Sequence, residues 1–156
     1  MQIQIINVAQ KLPAWVDAAS DDYLKRVPRE ISLKLVTVPL ASRKSKQSAA
    51  RQRQQESALI LDKLPPGSLN IALDEHGAAW SSDDWSQQLQ HWMFEWPRVN
   101  LIIGGPEGLS QQCIDACQHQ VSLGRMTMPH ALVKVVVVEQ LYRAWTILKG
   151  HPYHRE

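Results

Sequence analysis

The chain has 156 residues, a hydrophobic fraction of 44% and a formal net charge of +2. That length suits a single domain, 1–156, able to bury roughly 70% of its unfolded surface, and the composition excludes a disordered tail. No apolar run approaches the roughly 20 residues needed to span a bilayer, and so small a charge does not announce a nucleic-acid partner by itself.

Met1-Gln2-Ile3-Gln4-Ile5 lacks the basic flank and long apolar core of a signal peptide, so a cytoplasmic location is expected. Gln2 to Val8 alternates polar and apolar residues and then turns apolar, as a strand entering a core does. Pro13 opens a helix whose Val16, Tyr23, Leu24 and Val27 share a face, and Pro28 stops it. Ile31 to Val38, rich in branched side chains, is a second strand ended by Pro39. Ser42 to about Gln55 is polar and basic, a mobile loop leading into a helix that buries Leu59, Ile60 and Leu64. Pro65-Pro66-Gly67 is a firm break. Leu69 to Leu73 makes a third strand and Asp74-Glu75-His76-Gly77 a turn. Ser82 is the expected N-cap of the next helix, with Asp83 and Asp84 in its first turn. Trp85, Leu89, Trp92, Met93 and Trp96 recur at helical spacing, a stripe that reads as core packing, until Pro97.

Val99 to Ile103 is the fourth strand, and Ser110 caps a helix beyond it with Leu109 and Ile114 as a hydrophobic staple. Val121 to Leu123 is a short fifth strand. In Ala131 to Lys149, Val135 to Val138 favour a strand, but the length without turn residues decides for a helix. Its nearly all-round apolar character calls for cover on more than one side, most economically a partner subunit. Strands alternating with helices indicate an α/β fold, a mostly parallel sheet flanked by helices. Cys113 and Cys117, four apart, are read as buried, reduced thiols and not a redox or zinc motif. No metal is expected.

The most informative stretch is Leu101-Ile102-Ile103-Gly104-Gly105-Pro106-Glu107-Gly108-Leu109-Ser110, an apolar strand ending in a glycine-rich turn. In α/β proteins the carboxyl ends of buried strands are where ligands settle, and glycines let a ligand approach the backbone. The turn has no G-x-G-x-x-G fingerprint and no Lys-Ser/Thr pair, and Glu107 repels a pyrophosphate. It suits a ligand held by backbone groups and lacking a phosphate chain, which argues against a nicotinamide oxidoreductase. Two basic groups, Arg43, Lys44, Lys46, Arg51 and Arg53, then Lys134, Arg143, Lys149 and Arg155, read either as RNA-backbone contacts or as solvated faces.

Four ordered blocks carry a resemblance. The glycine turn is followed by Leu123-Gly124-Arg125-Met126-Thr127-Met128-Pro129-His130, by Glu139-Gln140-Leu141-Tyr142-Arg143-Ala144-Trp145, and by His151-Pro152-Tyr153-His154-Arg155-Glu156. With Leu73-Asp74-Glu75-His76-Gly77 after the third strand, the chain resembles over its full length the RlmH family of SPOUT-class methyltransferases, which modify large-subunit ribosomal RNA. The resemblance implies a C-terminal trefoil knot, which no topology rule predicts, and a homodimer packed through the last helix. It implies S-adenosylmethionine bound in the knot, at Leu73, at Gly104 and Gly105, and along Leu123, Gly124, Arg125, Met126, Thr127 and Met128. The implied substrate is a pseudouridine of a ribosomal stem-loop, methylated at N3 on assembled ribosomes.

N3 becomes nucleophilic only as its proton leaves, so a base or a stabilising cation is needed. The expected catalytic set is His154, assisting proton removal, with Tyr153 and Arg143, while Arg155, Lys134, Arg43, Lys44 and Lys46 are candidates for RNA contact. Such a tail reaches the pocket of the other subunit, or else is merely a frayed basic end. His130 is read as capping or pinning the last helix, and Arg143 divides between substrate and an i,i+4 pair with Glu139. Two positions depart from the family pattern. Gly124 stands where serine is usual, and Lys134 where arginine is, which loses a bidentate fork. A rival class is a non-catalytic ribosome- or RNA-binding protein with a methyltransferase-like fold.

Overall fold

The structure is a computed structural model describing residues 1–44 and 46–155. Ser45, in the expected mobile loop, and Glu156, at the end of the tail, lie outside the described residues. In chain order the elements are β1 (Gln2–Val8), α1 (Ala14–Leu24), β2 (Ser32–Val38), α2 (Ala49–Leu61), β3 (Leu69–Ala79) and α3 (Ser82–Glu95). They continue with β4 (Arg98–Ile103), α4 (Gln111–Asp115), β5 (His119–Ser122), α5 (His130–Leu148) and a closing 3-10 turn (Pro152–Arg155).

The five strands form one parallel sheet in the order β2-β1-β4-β3-β5. Strand periodicity sends alternate side chains to opposite faces, and each face has its own helices. Ile3, Ile5, Ile71, Leu73, Leu101 and Ile103 point to one side, where Trp85, Leu89 and Trp92 of α3 and Val137, Val138 and Leu141 of α5 cover them. Ile6, Val8, Ala72 and Ile102 point to the other, under Ile60 of α2 and Leu109 and Cys113 at α4. The tryptophan stripe is therefore core, with Trp85 and Trp92 packed edge to face at 6.2 Å. Cys113 is buried and Cys117 half-buried, both as free thiols.

Several boundaries differ from the sequence reading. The third strand does not stop at Leu73. Both Leu73 and Ala78 pair with Val121, so residues 74–77 leave the ladder and the strand then resumes. Gly77 permits the return, because a Cβ there would sit 2.4 Å from the backbone of Gln120 and Val121. The N-cap of α3 is Ser81 and not Ser82, since Ser81 forms a reciprocal capping box with Asp84. The polar loop is shorter than expected. Ser48 accepts a hydrogen bond from the Arg51 amide, which starts α2 at Ala49. Leu59 is 41% exposed, on the outer side of that helix from Ile60. Ser110 caps α4 as expected, accepting from the Cys113 amide.

Candidate active site

The carboxyl ends of β3, β4 and β5 lie side by side and surround a cleft of about 680 Å³. Its three walls are the detour after Leu73, the turn from Gly104 to Leu109, and the segment from Ser122 to Met128. His130 and Val133, in the first turn of α5, close a further side, and Arg53 of α2 reaches the rim.

Glycine determines the middle wall. The Gly108 amide donates to the Gly105 carbonyl at 2.9 Å across Pro106-Glu107, and Gly108 has φ of +75°, open to glycine. A Cβ on Gly104 would come within 2.9 Å of the Gly108 backbone. On Gly105 it would meet a carboxylate oxygen of Glu56 at 2.7 Å. Helix α2 also braces the far end of the turn, where the Ser110 amide donates to Ser57 Oγ at 2.9 Å. In the segment after β5, Ser122 Oγ both accepts from the Gly124 amide and donates to its carbonyl. Gly124 itself has φ of +121°, a conformation serine adopts only with strain.

Asp74 organises the first wall. Its Oδ1 accepts from the His76 amide at 2.9 Å and from Gln120 Nε2 at 2.9 Å, and meets His76 Nδ1 at 3.0 Å. Burial pushes the Asp74 carboxyl up, but the His76 amide, the Gln120 amide and the His76 ring outweigh it and hold it below the ordinary range. Burial pulls the His130 imidazole down against the opposing charge of Glu56, so it faces the cleft neutral at pH 7. Asp74, Glu75 and Glu107 give the lining an acidic cast. With glycine-built walls and no phosphate-binding loop, that donor set fits a compact cationic group such as a sulfonium and disfavours a polyphosphate.

Of the nine residues expected around a cofactor, Leu73, Gly104, Gly105, Leu123, Gly124, Met126, Thr127 and Met128 line this cleft. Arg125 does not; it faces solvent. Asp74 and Gln120 also line it and were not expected there from the sequence, and Arg53, named only as one of a basic group, lines it too. Asp74 alone carried a signal, as the first polar residue after an apolar strand. Among the described residues no group of three His, Cys, Asp or Glu is placed to hold a metal, and no helix is long and apolar enough to cross a membrane.

The remaining candidates lie elsewhere. Arg143 pairs with Glu139 through Nε at 2.9 Å and Nη2 at 2.8 Å. Burial pulls its guanidinium down, and Glu139 more than reverses this. Tyr153 Oη donates to the same Glu139 oxygen at 3.0 Å, its ring lies 4.7 Å from that of Tyr142, and the Arg143 cation sits 5.0 Å from its centroid. Burial, the Tyr23 hydroxyl and Glu139 all push the Tyr153 phenol up. The tail is thus folded onto α5 of its own chain, not frayed, and Arg143, Tyr153 and His154 do not line that chain's cleft. Arg155, Lys44 and Lys46 are exposed. Arg43 is already engaged, with Glu56 at 3.0 Å. Lys134 departs from the expectation of an RNA contact: it is 3% exposed, its ammonium 3.8 Å from Asp17, because its position on α5 faces α1.

Comparison with known proteins adds the family. A family model described as "Predicted SPOUT methyltransferase" matches residues 1–154. The chain belongs to the SPOUT methyltransferase family. A protein of Hahella chejuensis named ribosomal RNA large subunit methyltransferase H is 43% identical over 156 residues, covering all of both chains. Its namesakes in Pseudomonas putida (strain W619) and Stutzerimonas stutzeri are 40% and 39% identical over 155 residues, 99% of this chain and all of theirs. As in the sequence reading, the matching region covers the glycine turn, the segment after β5 and α5 together.

Proposed function

We propose that this SPOUT chain is an S-adenosylmethionine-dependent methyltransferase that methylates N3 of a pseudouridine in a stem-loop of large-subunit (23S) ribosomal RNA. It acts as a homodimer on assembled ribosomes, in the cytoplasm, with its C-terminal segment threaded as a trefoil knot. The observation that carries the reading is the meeting of three strand ends around a glycine-walled, acid-lined cleft that has no phosphate-binding loop. The names of the full-length relatives support the ribosomal substrate.

S-adenosylmethionine, when bound, supplies an electrophilic methyl group on a sulfonium whose leaving group departs neutral, so no metal is required. The backbone at Leu73, Gly104, Gly105 and the 123–128 segment would hold it, with Asp74 contributing a fixed negative charge. The protein's own work is then alignment of the acceptor and removal of the N3 proton. His154, Tyr153 and Arg143 carry that work from the end of α5. Since they lie apart from their own cleft, the partner subunit's cleft is where they act, brought there by packing of α5 and α1 against a second copy. Leu132 on α5 and Trp15 on α1, 37% and 52% exposed, mark the apolar surface for that contact. Arg155, Lys44 and Lys46 face solvent for RNA phosphates.

The test is to incubate the protein with S-adenosylmethionine and ribosomes from cells lacking the gene, then digest the 23S RNA for mass spectrometry. One added methyl on a pseudouridine is expected, with free RNA a much poorer substrate. Donor binding absent by calorimetry would instead favour a non-catalytic RNA-binding protein on this fold.

A further inference from the structure

Glu56 is the most unusual side chain outside the cleft lining. It sits on α2, a helix with little apolar surface, yet is 1% exposed. One carboxylate oxygen, Oε1, accepts from the Ala41 amide at 3.1 Å and from Arg43 Nη2 at 3.0 Å. The other, Oε2, has no hydrogen-bond partner among the described residues and lies against Gly105, the back of the donor wall. A half-satisfied buried carboxylate is a poor way to stabilise a fold, since an apolar residue of similar volume usually does as well or better. Its neighbours tie the same two regions together. Gln52, one turn earlier, donates to the Ser42 carbonyl at 3.4 Å, and Ser57, the next residue, holds the Ser110 amide.

We propose that Glu56 is a positioning residue that couples the basic 41–44 segment to the Gly104–Gly105 wall, so that RNA contact at Arg43 and donor binding in the cleft are energetically linked. Arg43 is held at one end of a rigid carboxylate whose other end bears on the turn that encloses the donor. Tightening of that turn restrains Glu56 and with it the segment that presents Arg43 and Lys44; a phosphate drawing on Arg43 changes the charge balance behind Gly105. By linkage the effect is reciprocal. The inference rests on the methyltransferase reading above. Glu56 and residues 41–44 do not line the cleft, so any response of 41–44 to the donor must travel through the protein.

Amide hydrogen exchange on the full-length protein, with and without S-adenosylmethionine, tests it. In the wild type the donor should slow exchange at 104–108 and 123–128, and also at least threefold at 41–44, including the Ala41 amide that Glu56 holds. In Glu56→Gln the protection at 104–108 and 123–128 should persist while that at 41–44 disappears. Ribosome titrations should show KM for the ribosome raised about tenfold with kcat within threefold. Arg43→Gln, which leaves Glu56 in place, should reproduce the KM effect even if Glu56→Gln folds poorly. A wild-type 41–44 segment indifferent to the donor, or one still protected in Glu56→Gln, overturns the coupling. Absence of any protection at 104–128 removes the methyltransferase reading and the coupling with it.

Discussion

The glycine turn after β4 and the 3-10 turn around Tyr153 are both short and both have a proposed role in the reaction, yet different forces hold them. Between Gly104 and Gly108 the shape is set by the main chain: a 2.9 Å amide-to-carbonyl bond, a positive φ, and no room for a Cβ. Around Tyr153 it is set by side chains converging on one carboxylate, Glu139, which takes Arg143 and the Tyr153 hydroxyl while Gln140 bonds its second oxygen. A backbone-built wall is rigid and indifferent to pH. A side-chain hub can be retuned by a single substitution, which suits groups that must handle a proton. The two regions should therefore fail in different ways when altered.

Removing the tail gives the largest effect. Truncation after Pro152 should lower methylation of ribosomal RNA by roughly a hundredfold to ten-thousandfold, the range for loss of general acid–base help. Donor affinity by calorimetry should stay within about twofold, because the main chain at Leu73, Gly104, Gly105 and 123–128, proposed to hold the donor, is left in place, whereas the tail is proposed to serve the acceptor. A parallel fall in donor affinity would make the tail a structural prop and erase the contrast between the regions. The converse change is Gly104→Ala. Its Cβ would meet the Gly108 carbonyl carbon at 2.9 Å and Leu109 Cγ at 3.1 Å, and the backbone cannot yield as a side chain does. Overpacking of this kind costs about 1–3 kcal/mol, or roughly five- to a hundredfold in donor affinity. Tail packing, followed by Trp145 and Tyr153 fluorescence, should be unchanged.

Glu139→Gln sharpens the comparison from the other side. Arg143 loses its charged partner, and hydrogen bonds to charged groups are worth about 1.5–3 kcal/mol, so turnover should fall about tenfold with the fold and donor binding intact. The Tyr153 phenol, held up partly by Glu139, should titrate at lower pH, visible in the ultraviolet spectrum. Unchanged turnover would show that Arg143 and Tyr153 do not depend on that carboxylate.

What could be read from the sequence follows the same division. Apolar and branched runs located all five strands, since stretches such as Ile71-Ala72-Leu73 and Leu101-Ile102-Ile103 are a local property, while the face that each side chain takes emerged only from the packing. The glycine turn was visible because few residues other than glycine serve there. Gly77 was misread for the same reason. A glycine marks either a turn or a close backbone approach, and only the pairing of Ala78 with Val121 distinguishes them. The burial of Glu56 and Lys134 was not legible. It depends on Ala41 and Arg43 coming to one and Asp17 to the other, contacts across 13 to 117 positions of chain that no window of sequence contains. Glu139 showed only its i,i+4 relation to Arg143; its bond to Tyr153 required the tail to fold back.

The smallest expected effect tests the cleft wall's indifference to pH at His130, a cleft imidazole whose pKa burial lowers. Its folded pKa lies below the ordinary 6.5, so the folded protein binds fewer protons there than the unfolded chain does. Stability should therefore hold above about pH 6.5 and decline as pH falls through the unfolded value, flattening once the folded imidazole is also charged. His130→Asn removes that dependence: its thermal midpoint should vary less between pH 7.5 and pH 5 than that of the wild type, as about a degree or two in a domain of this size. Donor affinity should decline over the same window in the wild type, since a protonated His130 then faces a cationic ligand and offsets part of the negative charge of Asp74, Glu75 and Glu107. Equal pH profiles for the two proteins would mean that Glu56, the charge opposing burial, already keeps the imidazole at its unfolded value.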